Sequence, residues 1–304
     1  MAAGSLSRPR RYRSDHCRHR RPPGRVMSGI VWLASYPKSG NTWLRLMLSS
    51  LERGGAAPDF SASAGFAPIA SGRHAFDEAL GVASADLTED EITCLRPRLY
   101  EIQAAETVQP LLRKVHDAWT LTPAGEPLFP PAATLGAVYL VRDPRDIAAS
   151  LANHSNLDLD GAIAILGNPE LTFARSRHRL DAQLPQRLLN WSGHVESWLL
   201  APIPPPLLLR YEDMLDDPLA ALRRVIAHLG WSAEDAVLRR AVAATRFDAL
   251  RQAEEHNGFR GRPRQSKRFF RRGQAGGWRD ELSADQAARI NADHAVVMRQ
   301  LGYL

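Results

Sequence analysis

The chain has 304 residues, 44% of them hydrophobic, two cysteines and a formal charge of +6. That is enough apolar material for a large core at a length where α/β folds often run as one domain, and with only Cys17 and Cys94 no disulfide framework or Cys-based metal site is expected. The charge is a poor sign of nucleic acid, because residues 1–26 hold eight Arg against Asp15, a local +7, and the remainder therefore carries +6 − 7 = −1.

The Arg-rich residues 1–26 carry almost no large apolar side chains and are expected to be a disordered tail ahead of a domain over 27–304. Met27 opens directly onto the first strand and is read as the natural start; a basic arm touching membrane or RNA is the alternative. No apolar run reaches about 18 residues, so no membrane span is expected. A reducing cytoplasm suits the cysteine usage.

Ile30 to Ala34 is short and almost wholly apolar, as a strand covered on both faces must be. Tyr36-Pro37-Lys38-Ser39-Gly40-Asn41-Thr42-Trp43 follows as a basic, Gly-bearing turn, and Leu44 to Leu51 has helical spacing. Strand, turn and helix start bring main-chain N–H groups and a positive helix end together, which is a grip for an anion. Lys38 precedes Gly40, unlike the G-x-x-x-x-G-K-[ST] order of nucleotide-triphosphate loops, and no carboxylate is placed as an obvious magnesium ligand. A phosphate or sulfate ester without a metal is the expected guest.

Residues 54–72 read as a long loop, and Asp77 to Gly81 as a helical turn. Thr88 to Glu106 has a cap-like start, but Pro97 predicts two short helices in place of one. Leu111 to His116 is extended and puts Lys114 and His116 on one face at its carboxyl end, where parallel sheets bind ligands. An ammonium to neutralise charge and a neutral imidazole to accept a proton suit attack by a hydroxyl on a charged centre.

Leu135 to Val141 is a second buried strand, ending in Arg142 and followed by a helix from Pro144 to about His154 that carries Ser150. Arg142 is either paired with Asp143 or Asp146 on a solvated turn or a second anion site. Arg187 to Leu200 reads as a helix with Trp191, His194 and Trp198 on its packed side, His194 as a core histidine. Asp217-Pro218 starts a helix that stops at Gly230, Ser232 opens another, and Ser283 with Gln286 caps the last. Gly258 to Lys267 lacks periodicity and reads as a lid.

Together these motifs resemble the cytosolic-type sulfotransferases, which use 3'-phosphoadenosine 5'-phosphosulfate (PAPS). Tyr36 to Trp43 is similar to their cofactor loop, Lys114-Val115-His116 to their catalytic strand, Arg142 to Asp146 with Ser150 to their 3'-phosphate motif. Leu207 to Met214 is similar to the last core strand with its YEDM signature, and Phe269 to Gly273 with Trp278 resembles the closing R-K-G-x-x-G-D-W element. Gly277 stands where that element has Asp, Arg272 where it has Lys, and Asn41 where animal members have Thr.

The resemblance implies an α/β fold with a central parallel sheet flanked by helices and a P-loop-like phosphosulfate loop. It implies that Lys38, Ser39, Gly40, Asn41 and Thr42 hold the 5'-phosphosulfate. Trp43, Tyr211, Thr245 and Phe247 would pack on the nucleotide, and Arg142, Ser150, Arg271, Arg272 and Gly273 would hold the 3'-phosphate. His116 would be the base, with Lys38 and Lys114 stabilising charge, no metal, and sulfuryl transfer to a hydroxyl or amine of a small-molecule acceptor. The acceptor's identity and the oligomeric state stay open. Two other readings are a P-loop-type small-molecule kinase and a non-enzymatic nucleic-acid binder acting through the basic tail.

Overall fold

The computed structural model describes residues 28–58, 60, 66–176, 179–259, 262 and 268–304. Its centre is a parallel sheet of four strands: β1 (Ile30–Ser35), β2 (Leu111–Val115), β3 (Thr134–Val141) and β6 (Leu207–Arg210), in the order β2-β1-β3-β6. A two-residue pair, β4 (Thr172–Phe173) with β5 (Gln186–Arg187), lies apart from it.

The burial of β1 follows from its apolar run. Ile30, Trp32 and Ala34 enter one core and Val31 and Leu33 the other, so successive side chains feed opposite faces. The first core is closed by α3 (Glu89–Ala105), α4 (Pro144–Ser155), α6 (Trp191–Leu199) and α11 (Ala284–Gln300), among others. The second is closed by α1 (Asn41–Glu52), α8 (Pro218–His228) and α9 (Asp235–Ala244). The chain leaves β1 toward β2 on one side, while β3 lies on the other. The order therefore reverses beside β1, and ligands favour such a point at the strands' carboxyl ends.

Three expectations need correction. Thr88 to Glu106 is a single helix running through Pro97. The Thr88–Glu91 capping box anchors its start, and burial of Ile92, Arg96, Leu99 and Tyr100 offsets the roughly 3 kcal/mol that an interior proline costs. The 187–200 helix begins only at Trp191, capped by Asn190, because Arg187 pairs with Thr172. Ser232 opens no helix; α9 starts at Asp235 after Glu234.

The short turn expected at 77–81 is the end of α2 (Arg73–Leu80). Helices α5 (Leu159–Gly167), α7 (Tyr211–Asp216) and α10 (Phe247–Asn257) complete the α-helices among the described residues. Of the expected lid, only Gly258, Phe259 and Arg262 are among the described residues, and the tail at 1–26 lies outside them. Among the described residues no helix is long and apolar enough to cross a membrane.

Candidate active site

All four strands of the sheet end on one cavity of about 1050 Å³. After β1 the chain turns with Lys38 at φ 73° and Gly40 at φ 96°, both left-handed. At Gly40 the smallest residue is required: a Cβ there would lie 2.6 Å from Cδ2 of Tyr211, which follows β6. No side chain caps α1, so its first-turn N–H groups serve whatever anion meets the turn.

Asn41 is turned inward, its amide donating to the Leu33 carbonyl (2.8 Å) and to Ser35 Oγ (3.2 Å). Its side-chain donors thus tie α1 to β1, and its main-chain N–H is what remains for an anion. Ser39 is fully buried behind the cavity lining, and its Oγ has no hydrogen-bond partner.

Arg142, at the end of β3, crosses over the loop. It donates to the Lys38 carbonyl (3.3 Å) and to the Gln274 carbonyl (3.2 Å), and its guanidinium lies 4.3 Å from the Tyr211 ring centre. Asp143 pairs instead with Arg145 (2.7 Å), and Asp146 stands 4.0 Å from Arg142. The buried Arg142 Nε has no partner. An unpartnered donor beside an uncapped helix start is the environment a phosphate ester fits.

At the end of β2, Lys114 and His116 both line the cavity, as their spacing predicts. His116 Nδ1 donates to the Ser35 carbonyl (2.8 Å), which fixes the proton on Nδ1 and leaves the Nε2 lone pair available. Burial, then Lys114, pushes its pKa well below the usual histidine value, so the ring is neutral. Burial, then Arg45 and Lys38, lowers Lys114 to about 7. Burial, with Arg142 and Arg271, lowers Lys38 to about 8. Cations crowded this closely await negative charge. Behind them His194 is a core residue: its Nδ1 accepts from the Tyr139 hydroxyl (2.8 Å) and its Nε2 donates to the His116 carbonyl (3.0 Å).

The closing segment is held by carboxylates from elsewhere. Glu254 accepts the N–H groups of Phe269 (2.7 Å) and Phe270 (3.0 Å). Asp146 accepts those of Gly276 (2.8 Å) and Trp278 (2.9 Å), so the segment is anchored from α4 although Gly277 replaces the family's Asp. The guanidinium groups of Arg145 and Arg279 lie 4.2 and 4.5 Å from the Trp278 ring centre. Glu281 grips Arg271 with two bonds of 2.8 Å and stands 3.3 Å from Arg272. Gly273, at φ 63°, packs against the Phe247 ring, leaving no room for a Cβ.

Of the residues singled out in the sequence, Lys38, Gly40, Asn41, Thr42, Trp43, Lys114, His116, Arg142, Ser150, Tyr211, Phe247, Arg271, Arg272 and Gly273 line this one cavity. Thr245 does not. It is fully buried with its hydroxyl bonded to the Ala241 carbonyl (2.7 Å), and it reaches the site only by accepting from Trp43 Nε1 (2.8 Å) at its own carbonyl. Sequence reasoning missed Arg45, His154, Asp181, Gln183, Gln186 and Glu281, which also line the cavity. No motif marks them.

A parallel sheet with an anion-gripping turn at its switch point, and a neutral imidazole among desolvated cations, defines an α/β group-transfer enzyme acting on a phosphorylated or sulfated donor. The family model described as "Sulfotransferase domain" matches residues 29–302, so the chain belongs to that family and is a sulfotransferase. It is 25% identical over 279 residues to sulfotransferase 1A1 of Rattus norvegicus, covering 88% of this chain and 83% of that protein. The fold is similar to retinol dehydratase in complex with androsterone and the inactive cofactor PAP. That match has TM-score 0.57 at 18% identity and covers 91% of this chain and 82% of the other. It is also similar to mouse sulfotransferase SULT7A1 complexed with PAP (TM-score 0.55, 18% identity, 89% of this chain and 85% of the other).

Proposed function

We propose that the cavity binds PAPS at the 37–43 turn and Arg142, and that its sulfuryl group passes to a hydroxyl or amine of a small-molecule acceptor held beside His116. The observation that carries this reading is His116 itself. Its Nδ1 proton is tied to the Ser35 carbonyl, which leaves the Nε2 lone pair available on a side chain that lines the same cavity as the anion turn. The acceptor oxygen or nitrogen forms a bond to sulfur as the bond from sulfur to the bridging phosphate oxygen breaks. The acceptor proton goes to Nε2 of His116, and 3'-phosphoadenosine 5'-phosphate (PAP) leaves.

Lys38 and Lys114 stabilise charge on the bridging and sulfuryl oxygens, while Arg142, Ser150, Arg271 and Arg272 take the 3'-phosphate. Trp43, Tyr211 and Phe247 flank the adenine, with Thr245 steadying Trp43 from behind. The unpartnered Arg142 Nε and the uncapped α1 support the donor end, and the androsterone complex of a fold relative supports a small-molecule acceptor. The reading takes 27–304 as the catalytic domain, working in the cytoplasm.

The test is to incubate the protein with PAPS and pooled hydroxyl and amine acceptors. An acceptor should gain the mass of one sulfuryl group while PAP appears in equal amount. PAP formed without any sulfated product, or no PAP at all across varied pools, would contradict the reading.

A further inference from the structure

One wall of the cavity is built around residues 181–187, which are fastened to the strand that carries Lys114 from two directions. Ala70 N–H donates to the Lys114 carbonyl (2.8 Å) and Lys114 N–H to the Pro68 carbonyl (3.1 Å), so residues 68–70 run beside β2. Farther out, Leu184 N–H donates to the Ser71 carbonyl (2.7 Å) and Arg73 N–H to the Ala182 carbonyl (3.0 Å). From the other direction Ala118 N–H, two residues past His116, donates to the Arg187 carbonyl (2.8 Å). At roughly 5 Å per hydrogen-bonded step, the wall stands one to two steps from the strand that carries Lys114 and His116.

Two buried arginines brace this wall. Arg73 donates from Nε to the Asp181 carbonyl (2.7 Å) and from Nη2 to the Gln183 carbonyl (3.5 Å), and Nη1 is taken by Ser84 Oγ (2.8 Å). Arg96 forms a two-bond pair with Asp117 (2.7 and 2.8 Å), the neighbour of His116, and also donates to the Pro185 carbonyl (3.2 Å). Burying a guanidinium is costly unless its donors are used, and here they are used to fix main-chain oxygens of one segment.

Asp181, Gln183 and Gln186 of the braced wall line the cavity, as does Arg179, which donates to the Asp181 carboxylate (3.0 Å). Gln186 Nε2 donates to Gln183 Oε1 (2.9 Å), and Gln186 Oε1, within a side chain only 2% exposed, has no partner. Phe173 is the cross-strand partner of Gln186 and lines the same cavity, so ring and amide share one face. Planar carboxylate and amide groups meet neighbouring hydroxyls, and an aromatic ring covers a C–H face. A flat apolar acceptor would leave Gln186 Oε1 unpaired, at about 1–3 kcal/mol, and would give nothing to the remaining lone pairs of Asp181.

We propose, resting on the sulfotransferase reading above, that the acceptor is a polyhydroxylated ring compound. One of its hydroxyls meets His116, and others are bound by Asp181, Gln183 and Gln186 on the wall braced by Arg73 and Arg96. The test uses the full chain with PAPS and two acceptors of similar size, methyl α-D-glucopyranoside and cyclohexylmethanol, with PAP titrated in parallel. The pyranoside is expected to show at least about tenfold higher kcat/KM. Gln183→Leu and Asp181→Asn should raise its KM about tenfold or more, a clearly larger change than for cyclohexylmethanol, with PAP titration reporting on the donor end.

A pyranoside used no better than cyclohexylmethanol, including no transfer to either, overturns the proposal. So does an equal effect of both substitutions on the two acceptors. Failure to bind PAP would instead remove the sulfotransferase reading, so the two failures are distinct.

Discussion

The turn at residues 36–42 and the closing segment at residues 269–278 bring cations to the same cavity by opposite means. The turn is self-contained: two left-handed residues, a glycine that Tyr211 overlies, and an uncapped helix start supply its geometry within a few residues. The closing segment has no regular structure over most of its length and is pinned by Glu254, Asp146 and Glu281, which also offset nearby positive charge. A grip made of main chain is ready for its anion. A grip made of side-chain cations needs carboxylates to hold it while the anion is away, and the incoming phosphate must compete with them.

Removing a cation from the reacting centre should have the largest effect in this comparison. Lys114→Ala is expected to lower kcat by about 10²–10³ in a steady-state sulfuryl-transfer assay, because its charge acts where negative charge develops. A change in KM for PAPS alone would move Lys114 to simple binding. Next, Arg142→Ala should weaken PAP by about 2–4 kcal/mol in calorimetry while barely changing adenosine 5'-phosphate, since the lost contact is to the 3'-phosphate. Equal weakening of both nucleotides would make Arg142 a brace for the Lys38 carbonyl.

The pH profile sharpens the same contrast. Lys114 and Lys38 act as cations with pKa values lowered to about 7 and about 8, so kcat/KM measured at limiting PAPS should fall as pH rises through 7 to 8. With PAPS saturating, its negative charge raises both pKa values and the decline in kcat should move to higher pH. His116, depressed well below 6.5, keeps its base form through mildly acidic pH, so an acid limb centred near 6.5 would contradict its assigned environment.

The smallest effect is expected in the closing segment. Glu281→Gln releases Arg271 and removes a negative charge near the phosphate, and it should tighten PAP by about three- to tenfold in the same calorimetry. Looser binding would mean that Glu281 positions Arg271 for the phosphate and does not compete with it.

What could be read from the sequence follows the same division. The apolar run of β1, the Gly-bearing turn and the paired Lys114 and His116 depend on neighbours two to six residues away, and periodicity captures them. The helix through Pro97 was missed because its stability comes from burial against distant chain, including the Arg96–Asp117 pair. That Thr245 lies behind the cavity lining was not legible for a similar reason: where it points is decided by how α9 runs into α10, and its hydroxyl bonds back to α9. Asp146 meets Gly276 and Trp278 across 130 and 132 residues, a pairing that local spacing does not mark. The cavity wall at 181–187 depends on Arg73 and Arg96, about 90 to 110 residues earlier, and is silent in sequence for the same cause.

The most direct test of the account is to measure PAP affinity and sulfuryl transfer on one preparation of His116→Ala beside the unaltered protein. The imidazole is assigned to the acceptor's proton and the turn with Arg142 to the nucleotide. Turnover should therefore fall by about 10²–10⁴ while the Kd for PAP stays within about twofold. A Kd weakened in proportion to turnover, or turnover that survives the substitution, would contradict the assignment of His116 as the base.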